Sequence, residues 1–259
     1  MYQTDKLPNA NLSALSPYTG ETYPLYDVYY PAQFEISPSL KRLAIVQDEQ
    51  VKLIDLETGL TKTTQFDYVC SSAAWSPDES KLALTCGDVF IINFPDLNIF
   101  QLADLSSDFD EISWSPDGKW LAYDNVADPY GDDSYDGIYI TDTTCLFSSD
   151  TCKEHTKFSH GLFYQFVDAT WSLDSSELAF LALGNIYRLD IDDMNINLCI
   201  ELPHENISDV TGFAWSVDGS QYAISNEITQ RIVIISSKDG KEEASFSIAG
   251  TVLLWIKVP

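Results

Sequence analysis

Positive charge is scarce in this sequence of 259 residues. Fourteen Lys and Arg residues stand against 40 Asp and Glu residues, which gives a formal net charge of −26. Proteins that bind nucleic acid phosphates or anionic membrane surfaces need basic patches. The composition therefore argues against both of these partner classes and favours partners that carry positive charge.

Long apolar runs are also missing. No run approaches the roughly 20 residues that a membrane-spanning helix needs, so membrane insertion is not expected. The first ten residues, MYQTDKLPNA, lack the apolar segment of a secretory signal. This chain as given therefore carries no visible targeting signal, and its location has to be argued from other features.

The usual catalytic motifs are absent as well. The sequence has no GxSxG elbow, no HExxH helix, no CxxC pair and no glycine loop that would hold a phosphate. Its three histidines, His155, His160 and His204, share no spacing and are best interpreted as surface residues. No cofactor is predicted on these grounds, and a non-catalytic protein is favoured over an enzyme.

What the sequence does contain is an internal repeat. The segments AAWSPDESKLAL, ISWSPDGKWLAY, ATWSLDSSELAF and FAWSVDGSQYAI are near copies, FEISPSLKRLAI is a weaker copy, and TVLLWIKVP places a further tryptophan near the end. The resulting anchor positions are Ile36, Trp75, Trp114, Trp171, Trp215 and Trp255. Their spacings are 39, 39, 57, 44 and 40 residues, and a period of about 40 is typical of four-stranded propeller blades.

Each copy predicts the same unit. A short apolar strand A ends at the anchor, and a Ser-Pro-Asp-Gly turn then reverses the chain. Strand B follows, as in residues 119–123, and strand C comes next, as in residues 51–55 or 137–141. A polar turn such as Glu57-Thr58-Gly59 leads into a last strand D. The repeated tryptophans are expected to pack between neighbouring blades.

We predict an all-β, six-bladed propeller that occupies residues 1–259 as one domain. Residues 11–25 resemble strands C and D of a blade, and the segment at Trp255 resembles an isolated strand A. Joining them gives a closing blade that is shared by the two termini, which would remove exposed sheet edges and leave a monomer. Five blades with frayed ends is the alternative.

With these motifs, the chain resembles the TolB-like group of β-propellers, since WSPDGKWLAY (residues 114–123) is close to the recurring motif of that family. It is also similar to WD-repeat proteins, although the closing Trp-Asp dipeptide is absent. The resemblance implies a docking surface for proteins or peptides in the cell envelope. Related blades form the lid of prolyl-oligopeptidase-type enzymes, but no catalytic motif carries over.

In the predicted blade, the D–A and B–C loops share one rim and the A–B and C–D turns share the other. Acidic residues concentrate on the first rim, above all in the insert DNVADPYGDDSYD at residues 124–136. The candidate binding residues are Asp67, Asp110, Glu111, Asp128, Tyr130, Asp132, Asp133, Tyr135, Asp136, Asp168 and Asp209. A concave mouth of one charge sign attracts the opposite charge, so we expect it to bind a basic protein segment.

Several alternatives remain open for this rim. It is either a binding surface or a solvated surface that only aids solubility. Asp128, Asp132, Asp133 and Asp136 could instead hold calcium, which prefers carboxylate oxygens. A carboxylate pair at the mouth would make the protein an enzyme that acts on a glycan or a peptide. The chain could also be the propeller of a larger envelope protein or peptidase.

The five cysteines predict two disulfides. Cys70 and Cys86 flank the hairpin at Trp75 and fall opposite each other within one residue, while Cys145 and Cys152 lie close together in an insert between strands C and D of the third blade. Cys199 has no evident partner and is expected to pack as a small apolar side chain. Two disulfides favour an oxidising compartment, periplasmic or secreted; five reduced thiols in a cytosolic propeller are the alternative.

Overall fold

The structure, a computed structural model, describes residues 9–15, 22–29, 33–103, 109–125, 137–147, 156–160, 166–182, 185–202, 210–226 and 229–247. Within these ranges the chain is almost entirely β, as the strand-sized apolar runs predict, with one 3₁₀ segment at Thr143–Phe147. None of the helical structure in these ranges is long and apolar enough to cross a bilayer.

Strands β3 to β22 form five four-stranded antiparallel sheets, each in sequence order. The first blade holds β3 (Gln33–Ile36), β4 (Arg42–Gln47), β5 (Gln50–Asp55) and β6 (Thr61–Gln65). The second holds β7 (Ser72–Trp75), β8 (Lys81–Thr85), β9 (Val89–Asn93) and β10 (Asn98–Ala103). The third holds β11 (Phe109–Trp114), β12 (Trp120–Asn125), β13 (Gly137–Asp142) and β14 (Thr156–His160).

The last two blades follow the same plan. The fourth holds β15 (Phe166–Trp171), β16 (Glu177–Ala182), β17 (Asn185–Asp190) and β18 (Ile196–Glu201). The fifth holds β19 (Val210–Trp215), β20 (Gln221–Asn226), β21 (Arg231–Ser236) and β22 (Glu242–Phe246). First strands contact one another in order, β3 with β7, β7 with β11, β11 with β15 and β15 with β19. The blades are therefore arranged with their A strands side by side, as in a propeller.

The prediction of six blades is wrong, because the described residues form five four-stranded blades. The N-terminal strands β1 (Asn9–Leu15) and β2 (Thr22–Tyr29) pair with each other from Asn9↔Tyr29 to Leu15↔Thr22 and form a separate two-stranded sheet. A hairpin satisfies its inner backbone groups without a further strand. The segment at Trp255, which was to supply the first strand of the closing blade, lies outside the described residues.

The repeat sets the blade boundaries. Each of the five described anchors, Ile36, Trp75, Trp114, Trp171 and Trp215, is the last residue of the first strand of its blade. The turn that follows is closed by side chains. In the second blade, Ser76 Oγ donates to Asp78 Oδ1 at 2.7 Å and accepts from the backbone N–H of Lys81 at 2.9 Å. The predicted turn chemistry and strand order within a blade are confirmed.

The anchor tryptophans join neighbouring blades by hydrogen bonds. The indole N–H of Trp75 donates to the carbonyl of Glu35 at 3.1 Å, and that of Trp114 donates to the carbonyl of Ala74 at 3.1 Å. Glu35 and Ala74 each directly precede the anchor of the blade before. The tryptophans themselves are buried, so the packing role that the repeat predicts is confirmed.

The fourth and fifth blades do not repeat this bond. The indole N–H of Trp171 is buried and has no hydrogen-bond partner among the described residues. The indole N–H of Trp215 turns to its own hairpin and donates to the carbonyl of Gly219 at 2.9 Å. Trp171 is also the anchor that follows the widest spacing, 57 residues. The inter-blade hydrogen bond therefore occurs at Trp75 and Trp114, where successive anchors are 39 residues apart.

Because Trp114 makes an inter-blade hydrogen bond and Trp171 makes none among the described residues, the same substitution should destabilise the protein more at Trp114 than at Trp171. Trp114→Phe removes ring volume and the bond to Ala74, whereas Trp171→Phe removes similar volume and no hydrogen bond. We expect Trp114→Phe to lower the free energy of unfolding by about 1–2 kcal/mol more than Trp171→Phe. Urea titration followed by circular dichroism measures both values, and equal losses would contradict the inter-blade bond.

The turn aspartates predict an acid-sensitive contribution to stability. Hydrogen bonds from the Ser220 side chain, the Ser220 backbone and the Ser216 side chain lower the pKa of Asp218 from 3.8 to about 2. Since the pKa is lower in the fold than in the unfolded chain, this carboxylate stabilises the fold above the unfolded value, and protonation removes that effect as the pH falls. We expect Asp218→Asn to unfold with a shallower pH dependence between about pH 5 and pH 2 in urea titrations. If the free energy of unfolding of Asp218→Asn changed with pH as steeply as that of the wild type, the prediction would be wrong.

Candidate functional site

The two rims of the propeller differ in their cations. We call the rim made by the A–B and C–D turns the turn rim, and the rim made by the D–A and B–C loops the loop rim. Five lysines lie in or directly beside turns of the turn rim: Lys41, Lys81, Lys119, Lys238 and Lys241. The described loop-rim segments, residues 48–49, 66–71, 86–88 and 229–230, contain no Lys or Arg, and one arginine, Arg231, starts β21 directly beside the last of them.

Three acids on the turn rim form ion pairs with these lysines. Lys41 Nζ lies 3.0 Å from a Glu57 carboxylate oxygen, and Lys241 Nζ lies 2.8 Å from an Asp239 carboxylate oxygen. Lys119 lies 3.3 Å from Asp117 in the same way. Each such exposed pair contributes little stability, and other acids in these turns, such as Asp96, Asp174 and Asp192, form no ion pair among the described residues.

The exposed acids on the described loop rim form no ion pairs. Asp48 and Glu49 form the turn between β4 and β5, Asp67 lies in the loop between β6 and β7, and all three are exposed. In the part of the chain that the structure describes, none of the three forms an ion pair. The loop rim of the first two blades therefore presents negative charge to solvent.

The predicted site residues lie in different parts of the fold, some in loops, some in strands and some outside the described ranges. Asp67 is in the D–A loop, as expected. Asp110 and Glu111 lie within β11, and Asp168 lies within β15, so these three belong to the loop-rim half of A strands rather than to the loops themselves. The following predicted residues lie outside the described ranges: Asp128, Tyr130, Asp132, Asp133, Tyr135, Asp136 and Asp209.

Two acids at the B–C ends of strands, Asp88 before β9 and Asp124 in β12, point inwards and not to the rim. Asp88 is 6% exposed and accepts hydrogen bonds from the backbone N–H of Val89 at 2.7 Å and from Gln101 Nε2 at 2.5 Å. Asp124 is 2% exposed, and its Oδ1 accepts the backbone N–H of Glu111 at 2.7 Å. Glu111 in turn accepts the hydroxyl of Ser72 at 3.3 Å. These carboxylates hold strand ends together, and they are not a solvent-facing patch.

A buried tyrosine lies beside this acid group. The Tyr123 hydroxyl is 2.9 Å from Thr141 Oγ1, and the ring stacks on Tyr139 with 5.5 Å between the centroids. Burial raises the pKa of Tyr123, and the charge of Asp88 raises it further. The phenol therefore stays protonated at neutral pH and serves as a structural hydrogen-bonding group.

Two cavities lined by described residues are small. A cavity of about 10 Å³ is lined by residues that include Glu111, Tyr123 and Leu178, and this volume holds roughly one water molecule. Another, of about 90 Å³, is lined by residues that include Ile224 and Glu242. Small-molecule sites usually enclose at least about 300 Å³. The described ranges also contain no group of three or more His, Cys, Asp or Glu side chains arranged to hold a metal.

One predicted disulfide is confirmed on the loop rim. Cys70 and Cys86 are bonded, with their Cα atoms 3.9 Å apart, at the loop-rim ends of β7 and β8. Cys145 is also disulfide-bonded, and its predicted partner Cys152 lies outside the described residues. Cys199 is free as predicted, but it is exposed on β18 instead of packed as a small apolar side chain.

Sequence reasoning did not single out Tyr68 and Val69, which lie beside this disulfide on the loop rim. Their side chains are 63% and 60% exposed. The available signal was the run Phe66-Asp67-Tyr68-Val69-Cys70, in which two apolar residues fall inside a D–A loop. Exposure of such a pair can be recognised only once the strand ends and the disulfide are in place.

Comparison with solved structures identifies the fold. TolB from Acinetobacter baumannii superposes with a TM-score of 0.64 at 17% identity, covering 88% of this chain and 57% of that one. A calcium-binding protein, regucalcin, from Agrobacterium tumefaciens gives a TM-score of 0.63 at 12% identity, covering 84% of this chain and 74% of that one. These similarities confirm the β-propeller fold that this chain shares with TolB and regucalcin, and this chain spans little more than half the length of TolB.

Sequence comparisons add nothing to this assignment. No protein-family model matches the chain, and no curated protein matches it. At these levels of identity the structural similarity establishes the fold, and function has to be argued from the site.

The Cys70–Cys86 disulfide should contribute measurably to the free energy of unfolding. It closes a loop with a sequence separation of 16 residues, for which the chain-entropy model gives about 3 kcal/mol. We expect Cys70→Ala/Cys86→Ala to lose roughly that much free energy of unfolding in urea titration. Cys199→Ala is the control and should unfold like the wild type, because Cys199 is free and exposed. A double variant as stable as the control would contradict the role of the bond.

Proposed function

We propose that this propeller is a non-catalytic docking module whose loop rim binds a basic segment of a partner protein. The observation that carries the proposal is the set of exposed acids on the described loop rim that have no cation beside them. Asp48, Glu49 and Asp67 form no ion pair among the described residues, while lysines lie beside several of the acids of the turn rim.

Electrostatics support a basic partner. The chain carries a net charge of −26, and a surface lined by one sign of charge raises the local concentration of oppositely charged ligands. Such steering depends on ionic strength because salt screens exposed charges over about 8–10 Å. The predicted contacts Asp110, Asp128, Tyr130, Asp132, Asp133, Tyr135, Asp136, Asp168 and Asp209 extend the same rim in this proposal.

The size of the cavities supports docking over catalysis. An enzyme that acts on a glycan or peptide would need a pocket that encloses part of its substrate, and the two cavities described above, of about 10 and 90 Å³, are far smaller than such a pocket. Because the chain spans 57% of TolB, a propeller that works within a larger envelope protein fits the same docking role.

The compartment is proposed from the disulfide. Bonds such as Cys70–Cys86 persist in oxidising surroundings and are rare in reducing cytosol. We therefore place the protein outside the cytoplasm, periplasmic or secreted, where basic segments of secreted or envelope proteins would be its partners.

A binding titration tests the proposal. A fluorescent Lys/Arg-rich peptide of ten residues is titrated against the protein by anisotropy over a series of NaCl concentrations, with a Glu-rich peptide of equal length as control. We expect binding of the basic peptide that weakens steadily with salt, and no binding of the acidic peptide. Undetectable or salt-independent binding of the basic peptide would overturn the proposal.

Matched variants locate the binding face. Asp48→Asn/Glu49→Gln/Asp67→Asn removes three charges from the loop rim, and Glu57→Gln/Asp96→Asn/Asp192→Asn removes three from the turn rim. We expect the first variant to lose about tenfold in affinity at low salt, at a few tenths of a kcal/mol per exposed charge, and the second to bind nearly as the wild type does. Equal losses in both would place the site elsewhere.

Calcium is tested in the same series. The regucalcin structure is described as calcium-binding, and the insert acids Asp128, Asp132, Asp133 and Asp136 supply oxygen ligands of the kind calcium prefers. A melting temperature that is higher in calcium than in chelator supports a bound ion in the insert, and equal melting temperatures reject it.

A further inference from the structure

We propose that the exposed segment Asp67-Tyr68-Val69 is the contact element of the loop rim and takes an apolar side chain that lies beside the basic residues of the partner. This inference rests on the proposed docking function and names the part of the surface that recognises the ligand. It adds a hydrophobic contact to a site so far argued from charge alone.

The exposed segment 67–69 lies between two buried residues, Phe66 and Cys70. Phe66 is 9% exposed and Cys70 is 6% exposed, while Tyr68 and Val69 between them are 63% and 60% exposed. Asp67 is exposed as well. A loop that buries both ends and leaves three consecutive residues in solvent presents an amphipathic surface of one acid and two apolar side chains.

The backbone on either side of the segment is fixed. The N–H of Phe66 donates to the carbonyl of Glu49 at 2.7 Å, and the N–H of Cys70 donates to the carbonyl of Asp48 at 2.8 Å. The Phe66 ring packs edge-on against Phe90 at 5.5 Å, and Cys70 is bonded to Cys86. The loop is therefore tied to the first blade by its backbone and to the second by its ends.

The Tyr68 side chain is held in place by contact with the backbone of Gly87. Gly87 has a φ of +69°, and a Cβ placed there would lie 2.8 Å from Tyr68 Cγ. The start of the ring thus lies directly on the backbone of Gly87, in space that only glycine leaves open. Presenting an aromatic side chain from a fixed position lowers the entropy lost on binding.

Other exposed apolar side chains in the described ranges do not form such an element. Leu40, Leu60, Leu173 and Val217 lie one per turn on the turn rim, and Ile99 and Leu198 lie on outer strands. Scattered single residues of this kind are normal on a protein surface. Tyr68 and Val69 are adjacent in the chain, and the backbone bonds that hold their loop come from the exposed acidic turn at Asp48 and Glu49.

The surrounding charge defines the occupant. Asp48, Glu49 and Asp67 are exposed acids on the same two connected loops, so a partner must bring positive charge to this place. Tyr68 and Val69 offer an apolar surface, and a tyrosine face also attracts Arg and Lys. The fitting ligand is a basic peptide segment with a Leu or an aromatic residue next to its Lys and Arg residues.

Two peptides separate this inference from the proposed function. One is a basic decapeptide that contains a central Leu-Trp pair, and the other has the same charge with Gly-Ser in place of that pair. Both are titrated against the wild type, against Tyr68→Ser/Val69→Ser and against Leu60→Ser/Leu173→Ser. The last variant removes two exposed apolar side chains, 72% and 65% exposed, from the turn rim.

We expect the wild type to bind the Leu-Trp peptide more tightly than the Gly-Ser peptide. Tyr68→Ser/Val69→Ser should lose about tenfold in affinity for the first peptide and keep its affinity for the second. Leu60→Ser/Leu173→Ser should match the wild type with both. Melting curves of all three proteins verify the fold, which exposed substitutions should leave intact.

The possible failures are distinct. If the wild type binds both peptides equally and the Tyr68/Val69 variant changes neither affinity, the contact element is wrong while charge-based docking stands. If the wild type binds neither peptide, the proposed docking function is overturned and this inference with it. If both double variants lose affinity for the Leu-Trp peptide to the same extent, the apolar contact is not specific to the loop rim, and the inference is overturned.

Discussion

The packing of the anchor tryptophans between neighbouring blades is the interaction on which the described architecture depends most. Trp75, Trp114 and Trp171 each belong to a buried apolar cluster shared by two consecutive blades, and Trp215 packs against a fourth such cluster. Between the first three blades the indole also donates to the residue before the preceding anchor, as Trp114 does with Ala74, and this bond fixes the offset between those sheets. Consecutive A strands then lie side by side, and the loops between blades meet along one edge.

Much of this architecture could be predicted from local signals. The Ser-x-Asp turn is closed by bonds within a few residues, as between Ser76 and Asp78, so the sequence at the turn is sufficient to place the strands on either side of it. The number of blades could not be predicted in this way. Pairing of the chain ends depends on distant segments, and a single tryptophan at 255 carries no information about which strand, if any, lies beside it. The N-terminal strands pair with each other, which the repeat alone did not specify.

The candidate site was predictable in its charge and not in its details. Sorting acids by loop type identified the rim that carries Asp67. It could not distinguish Asp88 and Asp124, which turn inwards to accept backbone N–H groups, from acids that stay in solvent. That difference depends on a single step in register at a strand end. Tyr68 was missed for a related reason, because its position depends on contacts with Gly87 and on a disulfide that joins two strand ends.

The unequal placement of lysines has a consequence for how the molecule approaches other proteins. The lysines in or beside the described turns lie at one rim, and the described loop-rim segments hold acids and no lysine. A cationic neighbour is therefore repelled locally by lysines at the turn rim and meets no such repulsion at the described loop rim. Encounters that begin at the loop rim would last longer, so that one orientation is favoured before the surfaces dock.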